Sequence, residues 1–352
     1  MYDGATALSA YGRIMKCVSA TSGIVPQIAL IHGICTGMAA VIATMMDVTV
    51  TVKAVSEIAF HSGSAKGEDK TPYAENCGLT AINATDEASA VASVRDLIML
   101  LPRNNRDVAD VEPTDDPARP VSADELTGLA LVKALADNGK VIDLYEAFAP
   151  EMTTALCAIG GRTCGVIATD ASVEDGKLTP KGARKAARMV SFCDAFSIPV
   201  VTLVDSAGVD NSAPREPAHV FGKLAKAYAT ATTAKISAIV GNAYGAAFTL
   251  LGSHALGADL ALALPESVIS VLPPEVAVAF LMNDQITLDN PREAVEAQWM
   301  ETVASPVAAA ESGDIDDIIP ANELRARLSS ALYMLAEKAD STPDRKHGVP
   351  TL

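Results

Sequence analysis

Apolar and polar positions in this chain follow strand-like and helix-like spacings, and one pattern that organises the rest occurs twice. Residues 28–42 (IALIHGICTGMAAVI) fall without a gap on residues 236–250 (ISAIVGNAYGAAFTL). Ile28 meets Ile236, Ile31 meets Ile239, Gly33 meets Gly241, Gly37 meets Gly245 and Ala39 meets Ala247. Each copy is a short apolar run, a glycine-punctuated turn and then small residues at helical spacing. That predicts a buried strand feeding the N-terminus of a helix. Each leads on into an acid-started β run, DVTVTV at 47–52 and DLALAL at 259–264. Two copies so far apart are too few for a solenoid and predict two homologous half-molecules.

The remaining pattern fills in around the repeat. The first half predicts a helix over 4–20, strands at 47–53 and 57–60, and an irregular polar stretch over 61–83. A helix over 86–101 follows, with an acidic first turn and a stop at Pro102. Residues 103–122, rich in Pro and Asp, have linker composition, and residues 122–137 and 141–148 predict two helices after it. The second half opens with 154–167, which contains Gly160-Gly161, and predicts the strand 165–170, then a helix over 179–196. A strand over 199–205 runs into Ser206-Ala207-Gly208, and a helix over 219–231 leads to the second repeat. Residues 268–272 lead to a turn at Pro273-Pro274, a helix starts at Glu275, 284–298 are polar, and a last helix covers 321–338. The expected organisation is an N-terminal unit over 1–110, a linker with connecting helices over 111–150, and a C-terminal unit over 151–352. Residues 151–235 of the second half precede its repeat strand, whereas only residues 1–27 precede the first. The first unit is therefore expected to be incomplete, its elements lost, cut away or supplied by another chain.

Charge and composition exclude some partners. A net charge of −16 over 352 residues argues against a nucleic-acid or anionic-membrane face. The six cysteines (Cys17, Cys35, Cys77, Cys157, Cys164, Cys193) form no CxxC pair, and several lie in apolar runs as buried thiols do. The five histidines form no HExxH or HxH motif, so no metal is expected. With no signal peptide and no apolar run of about 18 residues, the chain reads as cytosolic.

The candidate chemistry lies in the two turns. Gly37 and Gly245 sit where a helix should begin. The first N–H groups of a helix have no internal partner, and its dipole adds positive potential there. Small residues at Gly37, Ala39, Ala246 and Ala247 would let a ligand approach the backbone, and two N–H donors could hold a developing oxyanion. Tight strand–helix packing also selects Gly and Ala, and duplication copies either feature.

The run 160–208 (GGRTCGVIATDASVEDGKLTPKGARKAARMVSFCDAFSIPVVTLVDSAG) resembles the carboxyltransferase subunits of biotin-dependent acyl-CoA carboxylases and decarboxylases. These are the propionyl-CoA carboxylase beta, acetyl-CoA carboxylase and glutaconyl-CoA decarboxylase types. AYGAAF at 243–248 is similar to the family's AYGGAY, and HGICTGMAA at 32–40 to its GPCAGGA. PRNN at 102–105 and KHGVPTL at 346–352 fit the family's linker and tail, and the resemblance runs from about residue 4 to the end. It implies an α/β fold of two crotonase-like ββα-superhelix domains, the first for acyl-CoA and the second for biotin. It implies a dimer-based homo-oligomer whose site forms between the first domain of one subunit and the second domain of its partner. It further implies biotin on a separate carrier protein, since no biotinyl-lysine motif occurs, and biotin carboxylase or decarboxylase subunits as partners. The catalytic donors carried over are the N–H groups of Gly37 and Met38 on the thioester side and of Ala246 and Ala247 on the biotin side. Gly33, Cys35, Gly208, Tyr244 and Gly245 are carried over as the residues around the CoA thioester and biotin.

This chain departs from the family at several of these positions. The family's double glycine is Gly37-Met38 in one copy and Gly245-Ala246 in the other. Its D-x-P-G-F loop is Asp205-Ser206-Ala207-Gly208-Val209, and the position after AYGGAY is Thr249. The segment that precedes YDGATALSAYG in the family and contacts CoA is not in this sequence. Cys35 has no adjacent base and reads as packing rather than as a nucleophile. Tyr244 would either orient biotin or pack. Lys181, Arg184, Lys185 and Arg188 would either reach CoA phosphates or form a solvated helix face, the second being the commoner case. The competing readings are another crotonase-type acyl-CoA reaction and a non-catalytic scaffold in a carboxylase complex.

Overall fold

The computed structural model describes residues 4–60, 71–109, 111–122, 126–210, 218–340 and 349. The first half runs α1 (Ala5–Thr21), β1 (Ile28–Ile31), β2 (Ile34–Thr36), α2 (Met38–Thr44), β3 (Val48–Val52), β4 (Glu57–Ala59), α3 (Thr71–Asn76), β5 (Ile82–Ala84) and α4 (Glu87–Leu100). Its three-stranded parallel sheet has the order β1-β3-β5, beside a short β2–β4 pair. The Val48–Val52 run is buried throughout, because the sheet is covered on both faces. Asp86 caps α4 through a capping box with Ser89, which fixes where that helix begins. α3 and β5 fall in the stretch expected to be irregular. Both are very short, and β5 exists because Thr51 and its neighbours on β3 supply its hydrogen bonds.

The second half runs α5 (Gly128–Leu135), β6 (Val141–Leu144), β7 (Met152–Ile159), β8 (Arg162–Thr169), α6 (Pro180–Ala195), β9 (Val200–Ser206), α7 (His219–Thr230), β10 (Lys235–Tyr244) and α8 (Ala246–Leu250). It continues with β11 (Leu260–Ala263), β12 (Val268–Ser270), α9 (Pro274–Leu281), α10 (Arg292–Thr302), α11 (Pro306–Glu311), β13 (Asp317–Ile318) and α12 (Leu324–Met334). Its sheet has the order β13-β11-β10-β9-β8-β7-β6, with β12 also on β10. The helix expected over 141–148 is corrected: residues 141–144 are a strand antiparallel to β7. Four residues cannot hold a helix against a ladder that pairs every one of them. Likewise the polar stretch 284–298 contains the start of α10, whose mixed charge pattern hid its one buried anchor, Val295.

Successive residues of the central strands face opposite layers. Met152, Leu156 and Val204 join the core under α6, whereas Ala155, Cys157 and Leu203 join the core under α5 and α12. The α6-side core also contains Val50, Ala90 and Leu97 of the first half, so the two halves share one apolar interior.

The stretch of linker composition lies against the second sheet. Val111 N–H donates to the Gly161 carbonyl (3.0 Å) and Thr163 N–H to the Ala109 carbonyl (3.3 Å). Gly160 and Gly161 turn β7 into β8 with φ of 59° and 81°, the left-handed pair a two-residue hairpin needs. Their N–H groups donate to the Asp137 carboxylate at 2.8 and 2.7 Å, and buried Arg325 donates to the same carboxylate at 2.8 Å. Arg325 also reaches the carbonyls of Asp116 and Leu135, so one guanidinium joins this stretch, the end of α5, the hairpin and α12.

Candidate functional site

The two repeats coincide hydrogen bond by hydrogen bond. Gly37 has φ 63°, ψ −134° and Gly245 has φ 56°, ψ −132°, a conformation open to glycine and strained for any other residue. Each glycine N–H is held by the following strand: Gly37 donates to the carbonyls of Ala59 (3.2 Å) and Phe60 (3.0 Å), Gly245 to that of Ser270 (2.9 Å). Asp47 and Asp259 are also equivalent, accepting the N–H of Gln27 and of Lys235, each at 2.8 Å. Two serines complete the match. Ser56 donates to the Ile31 carbonyl at 2.6 Å and Ser267 to the Ile239 carbonyl at 2.8 Å. This serine pair was not singled out in the sequence, because the second copy is three residues longer between its glycine and its serine, which breaks the gapless register.

The positive φ falls on Gly37 and Gly245, not on the residues after them. Met38 and Ala246 open their helices in ordinary right-handed geometry, so side chains there are compatible with the turns. The expectation that Gly37 donates to a ligand is corrected, because its N–H is already engaged by β4 and the residue after it. The amides left without an intrahelical partner begin at Met38 and Ala39 in the first turn and at Ala246 in the second. Ala39 and Ala246 are exposed and Met38 is half-buried. Ala247 is fully buried, so of the pair expected on the second side only Ala246 is exposed.

On the second side the neighbours assemble around β9 and β10. The Asp205 carboxylate accepts Asn242 N–H at 2.8 Å, and a Cβ on Gly241 would lie 2.3 Å from that carboxyl group. This is why a glycine ends the apolar run here, and sequence pattern alone did not single out Asp205. Gly208 has φ 108° and lies against the backbone of Tyr244. The Tyr244 hydroxyl donates to Asn242 Oδ1 at 2.9 Å, and burial, then the Glu275 and Asp205 carboxylates, push its pKa up. Gly208, Tyr244, Gly245 and Ala246 are thus brought together. On the first side Gly33, Cys35, Gly37 and Met38 are brought together, with Cys35 paired to Ile58. Burial raises the Cys35 thiol, so it stays protonated, as packing requires. The two turns sit on different sheets and different apolar clusters, α2 with Ala29, Ile31 and Ile58, and α8 with Ala243 and Ile269.

The basic residues of α6 divide. Lys181 and Arg184 are exposed as a solvated face would be. Lys185 is 3% exposed, and Arg188 donates to the carbonyls of Met46 (3.0 Å) and Asp47 (2.7 Å) and to the Tyr145 hydroxyl (2.6 Å). Arg188 ties α6 to the turn between α2 and β3.

The carboxyl transferase domain family matches residues 1–350. The chain belongs to that family. It is 33% identical to the propionyl-CoA carboxylase beta chain of Saccharopolyspora erythraea, over 98% of this chain and 71% of that one. It is 30% identical to the methylmalonyl-CoA carboxyltransferase 12S subunit of Propionibacterium freudenreichii subsp. shermanii, again over 98% of this chain and 71% of the relative. Among solved structures, transcarboxylase 12S, described as a hexamer with methylmalonyl-CoA and methylmalonic acid bound, matches with a TM-score of 0.90 at 27% identity. That match covers 99% of this chain and 73% of the 12S chain. The fold is the crotonase-like one implied by the sequence resemblance, and the chain is a carboxyltransferase of the acyl-CoA carboxylase and decarboxylase class. No helix among the described residues is long and apolar enough to cross a membrane.

Proposed function

We propose that this chain moves a carboxyl group between biotin borne by a separate carrier protein and the carbon next to the carbonyl of a CoA thioester. The observation that carries this reading is the pair of superposable turns, each opening a helix with an unbonded backbone amide. On the thioester side, Met38 and Ala39 N–H groups would stabilise the enolate oxygen that forms when the neighbouring carbon loses its proton or its carboxyl group. On the biotin side, the exposed Ala246 N–H would stabilise negative charge on the ureido oxygen, and Tyr244 and Gly208 would shape the approach. Biotin supplies a nitrogen that carries the carboxyl group and can take up the proton. The fit to such a group rests on an exposed amide next to Gly245, where a Cβ would lie 3.1 Å from the Val271 carbonyl. Two backbone donors need no titrating side chain.

The relatives' names favour propionyl-CoA or methylmalonyl-CoA as the thioester. The proposed organisation keeps an acyl-CoA unit over 1–110, a connecting segment over 111–150 and a biotin unit over 151–352. It also keeps a cytoplasmic homo-oligomer working with a biotin carboxyl carrier protein and a biotin carboxylase or decarboxylase subunit. The test is decarboxylation of methylmalonyl-CoA and malonyl-CoA by the purified chain with free biotin as acceptor, followed by thioester analysis. Biotin-dependent loss of the carboxyl group is expected. A chain that associates with the carrier yet leaves both thioesters intact is a scaffold, not a transferase.

A further inference from the structure

A cavity of about 470 Å³ lies between the two halves, away from both turns, and its wall is basic in a chain of net charge −16. Arg184, Lys185 and Arg188 of α6 and Lys223 of α7 line it, and Asp47 is the one carboxylate on its wall among the described residues. Asp47 is already engaged by Gln27 N–H. Arg188 is spent on the backbone carbonyls of Met46 and Asp47. The other three cations are not committed to carboxylates. Arg184 makes a face contact with the Phe148 ring, 5.7 Å from its centre, which orders the guanidinium plane and leaves its N–H edges free. Lys223 is exposed at the rim.

Lys185 is the anomaly. It is almost wholly buried, yet its ammonium, with three donors, makes one long bond of 3.4 Å to the Ala149 carbonyl. Asp143, Glu151 and Glu146 act on it electrostatically from the surrounding elements, without an ion pair among the described residues. Burial outweighs them and lowers its pKa to about 8. An undersatisfied buried ammonium is costly unless something completes its shell.

We infer that this cavity binds a compact phosphate-bearing ligand, with Arg184, Lys185 and Lys223 converging on its phosphate oxygens. The volume suits a ligand up to the size of a nucleotide. Low-dielectric walls around clustered cations focus the potential that attracts such an anion. Two sources share the chemistry, a free nucleoside diphosphate and the doubly phosphorylated nucleotide half of coenzyme A. Where the source is coenzyme A the inference rests on the carboxyl-transfer reading, but it concerns other residues and is read by binding rather than by turnover, so the failure of one is distinguishable from the failure of the other.

The experiment is isothermal titration of the full chain with pyrophosphate, ADP and adenosine 3′,5′-bisphosphate near pH 8, in two buffers of different ionisation heat. Binding should weaken as salt is raised and should be accompanied by proton uptake, because an anion beside Lys185 raises its pKa. The tighter of the two nucleotides assigns the source, and binding of pyrophosphate alone assigns a smaller phosphate ligand. The Arg184→Glu/Lys223→Glu variant changes two exposed side chains, so it should unfold like the wild type while binding falls at least about tenfold. Lys185→Met should abolish the proton uptake. The inference is overturned if none of the three anions binds the wild type at millimolar concentration, or if the double variant binds as the wild type does.

Discussion

Gly37 and Gly245 are the residues on which the chemistry turns. At φ 63°, ψ −134° and φ 56°, ψ −132°, a Cβ is strained whatever room surrounds it, at a cost of about 1–3 kcal/mol. Gly37→Ala meets nothing within 4 Å, whereas Gly245→Ala also brings its Cβ to 3.1 Å from the Val271 carbonyl. Urea unfolding should therefore find Gly245→Ala the more destabilised of the two. Both should lose turnover, because relaxing the strain re-aims the amides after the glycine. Met38→Gly should leave the turn geometry unchanged, since Met38 already has right-handed helical angles. The glycine positions were legible because the chain contains them twice. That the Gly37 amide is occupied was not, because its acceptors, Ala59 and Phe60, arrive from a strand more than twenty residues further on. The same limit applies to Asp205, whose role depends on where β10 places Gly241.

At the level of elements, one buried ion pair and one longer-range charge interaction connect parts of the fold that sequence pattern keeps separate. Arg325 on α12 donates to Asp137, whose carboxylate also takes the two amides of the β7–β8 turn. Arg325→Ala should cost about 3–5 kcal/mol in urea unfolding, because it leaves a buried carboxylate short of its cation. Composition suggested a linker here because prolines and acids dominate it, yet one of those acids, Asp115, is held by both Arg325 and Arg119. The second acts through space between Asp143 of β6 and Lys185 of α6, without a hydrogen bond or ion pair between them. Burial raises Asp143 to about 6 and lowers Lys185 to about 8. For Asp143 the folded state binds the extra proton, so stability falls as pH rises from about 4 to 6. For Lys185 the unfolded state binds the extra proton, so stability rises between about pH 8 and 10.5, by roughly 3 kcal/mol if the shift is fully expressed. Unfolding free energies across pH should show that alkaline rise in the wild type and lack it in Lys185→Met, with the acid-side fall kept in both. For α6 the sequence favours a solvated basic face as the commoner case, and Lys181 and Arg184 are exposed accordingly. Its other cations are taken up by contacts with Tyr145, the α2–β3 turn and Ala149, which no local window contains.

At the scale of the whole molecule, the two turns are equivalent in geometry but not in surroundings, and that difference can be used to assign their roles. The two turns belong to separate apolar clusters, and under the proposed function the thioester turn of one copy would meet the biotin turn of a second. Light scattering should accordingly give a dimer or a larger ring. A CoA thioester that binds only the folded state stabilises it by about 2.7 kcal/mol at one hundred times its dissociation constant, a shift of several degrees in Tm. Methylmalonyl-CoA and propionyl-CoA should produce that shift, and acetyl-CoA a smaller one if the acyl group is read as the relatives' names suggest. If the first turn holds the thioester, Gly37→Ala should abolish the thioester-induced shift while Gly245→Ala, though less stable on its own, should keep it. The opposite result would exchange the two roles, and loss of the shift in both variants would mean that the thioester spans both turns. A wild-type monomer indifferent to every thioester would remove the basis for transfer by this chain, because the proposed site needs both a bound thioester and the turn of a second copy.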